Sequence, residues 1–208
     1  MKTLIILTFI CITQIAFSSN DDKIFVQQLT KNEIKWVNKT KINSQAVKKS
    51  ISFLKVNYNK ENLSKKYFAI ADFSLNSQQE RLEIYNIETG EVSIYKVAHG
   101  KGSDQNHDLI FDQFSSKPKS NSTPQGFHRM AETYYGKHGY SLRMDGLEPH
   151  NKTSRARAIV LHGADYVSWK HTGRSFGCPA VEKKYAKKII DQLKGGALLY
   201  HFHESRKP

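Results

Sequence analysis

The sequence predicts a mainly β fold with a few helices, of the mixed α+β kind. Three observations lead there. Apolar residues in the last two thirds of the chain recur with period two or in short buried runs. Helical periodicity is confined to two segments. Nothing repeats as strand–helix–strand, which argues against a doubly wound sheet. The length of 208 residues suits one domain of ordinary size. With 38% hydrophobic, 11% aromatic and 25% charged residues the composition is globular, and wholesale disorder is excluded. Mean hydropathy is −0.58 with one continuously apolar segment, so a polytopic membrane protein is excluded too.

That apolar segment opens the chain. Lys2 precedes an almost unbroken hydrocarbon run from Leu4 to Ile12, too short to span a bilayer, and Ala16-Phe17-Ser18 offers small residues at a cleavage site. Residues 1–18 therefore read as a secretory signal peptide, which predicts a periplasmic or secreted protein with no stable membrane span after cleavage. Loss of Lys2 would lower the net charge from +13 to +12. Cys11 would leave as well, so Cys178 would stand alone and could form no internal disulfide. It is then either a buried small hydrophobe or a reactive thiol.

Residues 19–66 read as an N-terminal helical and linker segment. Val47, Ile51, Leu54 and Tyr58 share one helical face with Ser44 as N-cap, and the remainder reads as helical turns and loop. From residue 67 to 208 the period changes. Tyr67 to Ala71 is a buried strand. Leu82, Ile84 and Asn86 alternate with Glu83, Tyr85 and Ile87. Glu88-Thr89-Gly90-Glu91 turns the chain into a second strand, Val92 to Val97, and makes a hairpin. Gly100 to Pro124 is a polar stretch without strand or helix signals, and loops that long often line binding sites. Arg157 to Leu161 is a buried strand that delivers His162-Gly163 at its end. Glu182 to Lys194 is an amphipathic helix with Tyr185, Ala186, Ile189, Ile190 and Leu193 on its apolar face, closed by Gly195. Ala197 to Phe202 is the last strand.

The stretch Gly173-Arg174-Ser175-Phe176-Gly177-Cys178-Pro179-Ala180 is poor sequence for the interior of a helix or strand. It suits a tight turn whose backbone N–H groups converge near the sulfur. If the chain returns beside the strand that ends at His162, imidazole and thiol can meet. A free thiol is mostly protonated at neutral pH, with a pKa of about 8.5, and an adjacent histidine can take its proton. Turn amides would then face the oxyanion that forms when a carbonyl is attacked. In outline this is a Cys–His acyl-transfer site.

These residues resemble the active-site motif of the L,D-transpeptidases, the YkuD-type enzymes of bacterial cell-wall synthesis. The pattern is a His-Gly, a spacer, then Ser-His-Gly-Cys, a hydrophobic residue, and Arg or Asn. His162, Gly163, Ser175, Gly177 and Cys178 match; Phe176 and Ala180 depart. The resemblance is closer to the murein L,D-transpeptidase catalytic domain family, which carries Gly-Arg-Ser-x-Gly-Cys-Pro-Ala. Segments such as Val97-Ala98-His99-Gly100-Lys101, Tyr135 to Arg143 and Ala158 to Val167 extend it across Tyr67 to Phe202.

The resemblance implies a YkuD-type β-sandwich with the site in a cleft. Cys178 would be the nucleophile, acting on a peptidoglycan tetrapeptide stem with release of D-Ala. His162 would be the base, oriented by the carbonyl of Gly163. Amides of Phe176, Gly177 and Cys178 would form the oxyanion hole, with Ser175 supporting the turn and Arg174 substituting for the charge absent at Ala180. His99 and Tyr135 are candidate substrate contacts. No metal or cofactor is implied. The resolving acceptor would be an amine, which makes a transpeptidase, or water, which makes a carboxypeptidase. A rival from another class is an idle module that binds peptidoglycan.

Other features are weaker. His201 and His203 alternate on the last strand and read as a surface pair, without the spacing of a third metal ligand. The basic residues are dispersed rather than clustered on one element, which argues against nucleic acid and for anionic envelope polymers as neighbours.

Overall fold

A computed structural model describes residues 19–168 and 173–205, so the expected leader, residues 1–18, lies outside the described residues. Two helices come first, α1 (Asn20–Lys39) and α2 (Ser44–Asn57), followed by strands β1 (Tyr67–Asp72), β2 (Glu80–Asn86) and β3 (Val92–Lys96). Next are β4 (Gly126–Gly136), β5 (Gly139–Gly146), β6 (Val160–Ala164) and β7 (Ala180–Glu182). Helix α3 (Lys183–Leu193) and strand β8 (Leu198–Phe202) complete the chain. Among the described residues no helix is long and apolar enough to cross a membrane.

All eight strands belong to one mixed sheet in the order β3-β2-β1-β8-β4-β5-β6-β7. The pairs β1/β8 and β6/β7 are parallel and the other neighbours antiparallel. The sheet curls until its ends meet. Just beyond β3, Ala98 exchanges both backbone hydrogen bonds with Ala180 of β7, at 2.8 and 3.2 Å. Closure of this kind leaves the functional turn no open edge beside it.

Period-two alternation divides the apolar side chains between two cores. Ala69 and Ala71 of β1, Leu82 and Ile84 of β2, and Leu199 of β8 pack with Met130, Leu142, Leu161 and the buried face of α3. Their neighbours Phe68, Ile70, Tyr85, Leu198 and Tyr200 face the other way and meet α1 and α2. Strands buried on both faces carry no polar alternation. The run Tyr67 to Ala71 reads as it does for that reason.

Helix α1 is longer than the turns and loop expected there. Ser19 caps it by accepting from the Asp22 amide, and Asp21 and Asp22 sit in the first turn, where the helix dipole favours acids. Its inner stripe, Phe25, Leu29, Asn32 and Trp36, is thin and includes an asparagine, so the apolar period is weak in sequence. Both polar groups of that stripe are used. Asn32 Nδ2 donates to the Ile87 carbonyl and Trp36 Nε1 to the Gly90 carbonyl, so α1 grips the β2–β3 turn. The cap of α2 is Asn43 rather than Ser44: its side chain accepts from the Gln45 amide, and its own N–H reaches Asp72.

Three more expectations change. His162 lies in the middle of β6 rather than at a strand end, because residues 151–158 form turns and the strand starts at Val160. Tyr185 is 38% exposed and its ring meets that of Tyr95 at a tilt, so the buried face of α3 is Ala186, Ile189, Ile190 and Leu193. His201 is fully buried, with Nδ1 2.8 Å from the Pro124 carbonyl, and His203 follows the strand against Phe111; they are not a surface pair. The β4–β5 hairpin has no counterpart in the sequence reading. Its register shifts between Met130 and Thr133, which breaks the period-two signal.

Trp36 is 1% exposed, and its ring meets Phe68 and Tyr85 edge-on. Trp36→Ala is expected to lower the unfolding free energy in urea by about 3–5 kcal/mol. Ile34→Ala, at a 73% exposed position on the same helix, is expected to stay within about 0.5 kcal/mol.

Candidate active site

Sheet closure brings the Gly173–Ala180 stretch beside β6. His162 pairs with Ala180 in the parallel β6/β7 register, so Cys178 enters two residues before its neighbour strand reaches the histidine. The turn is clamped from both sides. Ser175 forms a bridge with Gly100, and its carbonyl accepts from the Lys101 amide at 2.9 Å. The Ser175 hydroxyl donates to the Cys178 carbonyl at 2.6 Å and accepts from the Gly177 amide at 3.3 Å. Gly177 has φ +120, and a Cβ there would sit 2.6 Å from the Ser122 carbonyl oxygen and 3.0 Å from Arg157 Nη2. A Cβ on Gly100 would meet the Gly177 backbone at 2.5 Å. Neither position tolerates a side chain, because backbone packs against backbone.

The thiol of Cys178 is half-buried and donates to the carbonyl of Ala158 at 3.7 Å. Ala158 has φ +52, a left-handed conformation unfavourable for a residue with a Cβ. Burial pushes the Cys178 pKa up, against opposing pulls from the Val160 backbone and the charges of Arg157 and Lys137. At rest the group is a neutral S–H.

His162 is 1% exposed. Its Nδ1 lies 3.1 Å from the Gly163 carbonyl, which can only accept, so Nδ1 carries the proton. That leaves Nε2 as a lone pair, buried and with no hydrogen-bond partner among the described residues. Burial pushes the His162 pKa down to about 4; the Gly163 carbonyl opposes this, and His138 and Lys137 add to it. A second imidazole covers the ring: His138 stacks on it at 4.2 Å and 20°. The imidazole therefore stands on β6 and the thiol in the turn that leads into the neighbouring β7, both neutral, with the thiol turned to Ala158.

The other predicted residues divide. Phe176 is 61% exposed, with Lys101 Nζ 4.7 Å and Lys137 Nζ 5.9 Å from its ring centroid. Arg174 is exposed at the rim. Tyr135, 82% exposed, lies tilted against Tyr140 across the β4–β5 hairpin. His99 is a correction: it has zero exposure and cannot touch a substrate. Arg81 donates to its Nδ1 at 2.8 Å, and Asp104 lies 3.5 Å from its Nε2. This buried network supports the strand end that carries Gly100.

Sequence reasoning did not single out His138, Lys137, Arg157 or the Ala158 carbonyl. Lys137 and His138 form the two-residue tip between Gly136 and Gly139, a hairpin signal that a search for strands around it could have used. The tip also borders a groove of about 450 Å³ lined by His138, Gly163, Asp165, Tyr166 and Lys183. Its walls also hold Lys137, and Lys183 is paired there with Asp165.

A family model described as the L,D-transpeptidase catalytic domain matches residues 38–202. Among solved structures, the chain is similar to L,D-transpeptidase 3 of Mycobacterium tuberculosis, at 10% identity, 65% of this chain, 60% of that one and a TM-score of 0.44. It is also similar to the helical cell shape determining protein Pgp2 of Campylobacter jejuni, at 15% identity, 74% and 55% coverage and a TM-score of 0.45. An L,D-transpeptidase from Xylanimonas cellulosilytica aligns at 17% identity over 66% of this chain and 60% of its own, with a TM-score of 0.39. The chain spans less than two thirds of the length of each. No curated protein matches it.

Four buried histidines make a prediction about acid stability. His99 is pushed down to about 2, His162 and His201 to about 4, and His128 well below its ordinary value, each mainly by burial. All four stay neutral in the fold, whereas in the unfolded chain they bind protons below pH 6.5. Stability is therefore fully present above that pH and falls as pH drops from 6.5 toward 4, by about 1.4 kcal/mol per pH unit for each histidine. Urea unfolding at pH 7, 6 and 5 reads this slope, and a flat profile would contradict neutral burial.

Proposed function

The chain belongs to the L,D-transpeptidase catalytic domain family, and from that premise we propose that it is an exported cysteine acyltransferase acting on peptidoglycan tetrapeptide stems. The observation that carries this reading is the state of His162. Its proton sits on Nδ1 against Gly163, Nε2 has no hydrogen-bond partner among the described residues, and β6 pairs with the strand that Cys178 leads into. A buried neutral imidazole with an open lone pair is a general base held ready.

In the proposed reaction the thiol leaves the Ala158 carbonyl and gives its proton to His162 Nε2 as Sγ attacks the carbonyl that precedes the terminal D-Ala. The C–S bond forms as the carbonyl oxygen takes negative charge. Amides of Phe176, Gly177 and Cys178 line the turn on that side; the Gly177 N–H exchanges its long contact with Ser175 for the oxyanion. The imidazolium then protonates the departing amine, the C–N bond breaks, and D-Ala leaves behind a thioester. An amine from a second stem attacks the thioester, His162 takes the surplus proton, and Cys178 is released as the leaving group. Ser175 holds the Cys178 carbonyl and keeps the turn closed throughout.

The neutral resting pair distinguishes this site from a preformed thiolate–imidazolium pair. Nucleophile formation waits for the carbonyl, which favours attack only when substrate displaces the Ala158 contact. In this reading residues 1–18 are a leader that directs the protein to the cell envelope, followed by a helical segment, 19–66, and a catalytic region, 67–208. Helices α1 and α2 pack on the sheet, so the catalytic region and the segment before it form one body.

Mass spectrometry of a disaccharide-tetrapeptide incubated with the protein is the test. Release of D-Ala with dimer formation is the expected result; release without dimers would make water the acceptor. Cys178→Ala is expected to abolish both, and His162→Ala to slow them by roughly 10²–10⁴-fold. Unchanged binding with no turnover in the native protein would leave a binding module instead. The acid limb of kcat/KM is expected near pH 4, because His162 becomes protonated and loses its base function only below that pH. A limb near 6.5 would show an ordinary exposed histidine.

A further inference from the structure

The position two residues after the nucleophile, where the wider family pattern has Arg or Asn, is here Ala180. It is fully buried and locked in β7 between Ala98 and His162. No charge can reach the thiol from there. A guanidinium nevertheless stands beside the turn, and it comes from the opposite direction in the chain.

Arg157 immediately precedes Ala158, the residue whose carbonyl holds the thiol. Its side chain passes beneath the Gly177–Cys178 turn. Nη1 donates to the Ser115 carbonyl at 2.8 Å, and Nη2 donates to the Ser122 carbonyl at 2.8 Å and to the Ser120 hydroxyl at 3.4 Å. The same Nη2 is 3.0 Å from where a Cβ on Gly177 would lie. Gly177 thus leaves the space that the guanidinium approaches. Among the described residues its acceptors are two carbonyls and one hydroxyl, so no carboxylate neutralises it. A half-buried arginine without an acidic partner is costly unless a negative charge develops nearby.

We propose that Arg157 supplies from the turn before β6 the positive charge that the family motif usually carries after the cysteine, stabilising the Cys178 thiolate while it pins residues 115–122 over the turn. The proposal rests on the reading of Cys178 as nucleophile. Charge coupling runs both ways: a thiolate at Cys178 raises the Arg157 pKa against its burial, and Arg157 is the largest charge acting to lower that of Cys178. The other titratable groups coupled to the sulfur are Lys137 at the tip of the β4–β5 hairpin and Tyr166 after β6, and His162 stands on the strand paired with β7.

The test is the pH dependence of iodoacetamide alkylation at Cys178, read by peptide mass in the native protein, Arg157→Gln, Arg157→Lys and Lys137→Gln. Arg157→Gln is expected to move the alkylation midpoint up by about one pH unit, which lowers the thiolate fraction about tenfold below the midpoint. Arg157→Lys keeps the charge and is expected to leave the midpoint within a few tenths, while its melting temperature falls with the lost guanidinium hydrogen bonds. An unchanged midpoint in Arg157→Gln would overturn the proposal. So would equal shifts in the Gln and Lys variants, which would make Arg157 only a loop brace, or a larger shift in Lys137→Gln. If Arg157→Gln does not fold, Arg157→Lys decides: an unmoved midpoint supports the charge role and a rise of one unit sinks it. Stem-peptide turnover does not enter this readout. Loss of transpeptidation with an Arg157-dependent midpoint would fault the function and not the electrostatics.

Discussion

The site depends on two backbone hydrogen bonds. Ala98 and Ala180 exchange N–H and carbonyl across the two ends of the sheet, and without that bridge β7 would be a three-residue edge strand held by β6 alone. The bridge sets Gly100 against Gly177 and lets Ser175 reach the backbone beside Gly100. Small residues at 98, 100, 177 and 180 follow from it, since each is a place where main chain approaches main chain. The buried Arg81–His99–Asp104 array lies directly behind the same strand end. Its three polar side chains have zero to 1% exposure, so they fix a conformation rather than meet a ligand.

Burial dictates the electrostatics of the Cys178–His162 pair. It raises the acid and depresses the base, which separates the two groups in the direction that disfavours ionisation of either. Lys137 acts in opposite senses on the two partners, easing ionisation of the thiol and opposing protonation of the imidazole, and Arg157 adds to its effect on the thiol. A site so arranged has no standing ion pair. The stacked His138 adds to the same bias by covering one face of the imidazole with a ring whose own protonation burial and Lys137 disfavour.

Much of this was legible in the sequence where one physical signal dominated. Buried strands β1 and β8 showed as apolar runs, the β2–β3 hairpin as alternation around a Gly-containing turn, and α3 as a clean helical period. The Cys178 turn was legible because its glycines and proline fit no regular element. Elements stabilised by tertiary polar contacts were not. Helix α1 depends on Asn32 and Trp36 reaching carbonyls more than fifty residues away, which no local window contains. The β4–β5 hairpin is hidden by its bulge. Arg157 and Ala158 looked like the start of a strand, and only the structure shows them diverted, one to the 115–122 loop and the other to the thiol. His99 looked like a cleft residue because its His-Gly repeats that at 162, yet sheet closure buries it.

The Ala158 carbonyl that holds the thiol has a consequence for redox chemistry. Peroxides attack thiolates, and a cysteine kept as an S–H donor by burial is a poor target. Cys178 is the only cysteine among the described residues, so a sulfenic acid formed there would find no resolving partner within the fold. Under the proposed function, a permanently ionised nucleophile outside the reducing cytosol would be steadily lost to irreversible oxidation. Holding the proton until a carbonyl arrives would couple reactivity to substrate in that reaction, and it keeps the resting sulfur chemically quiet.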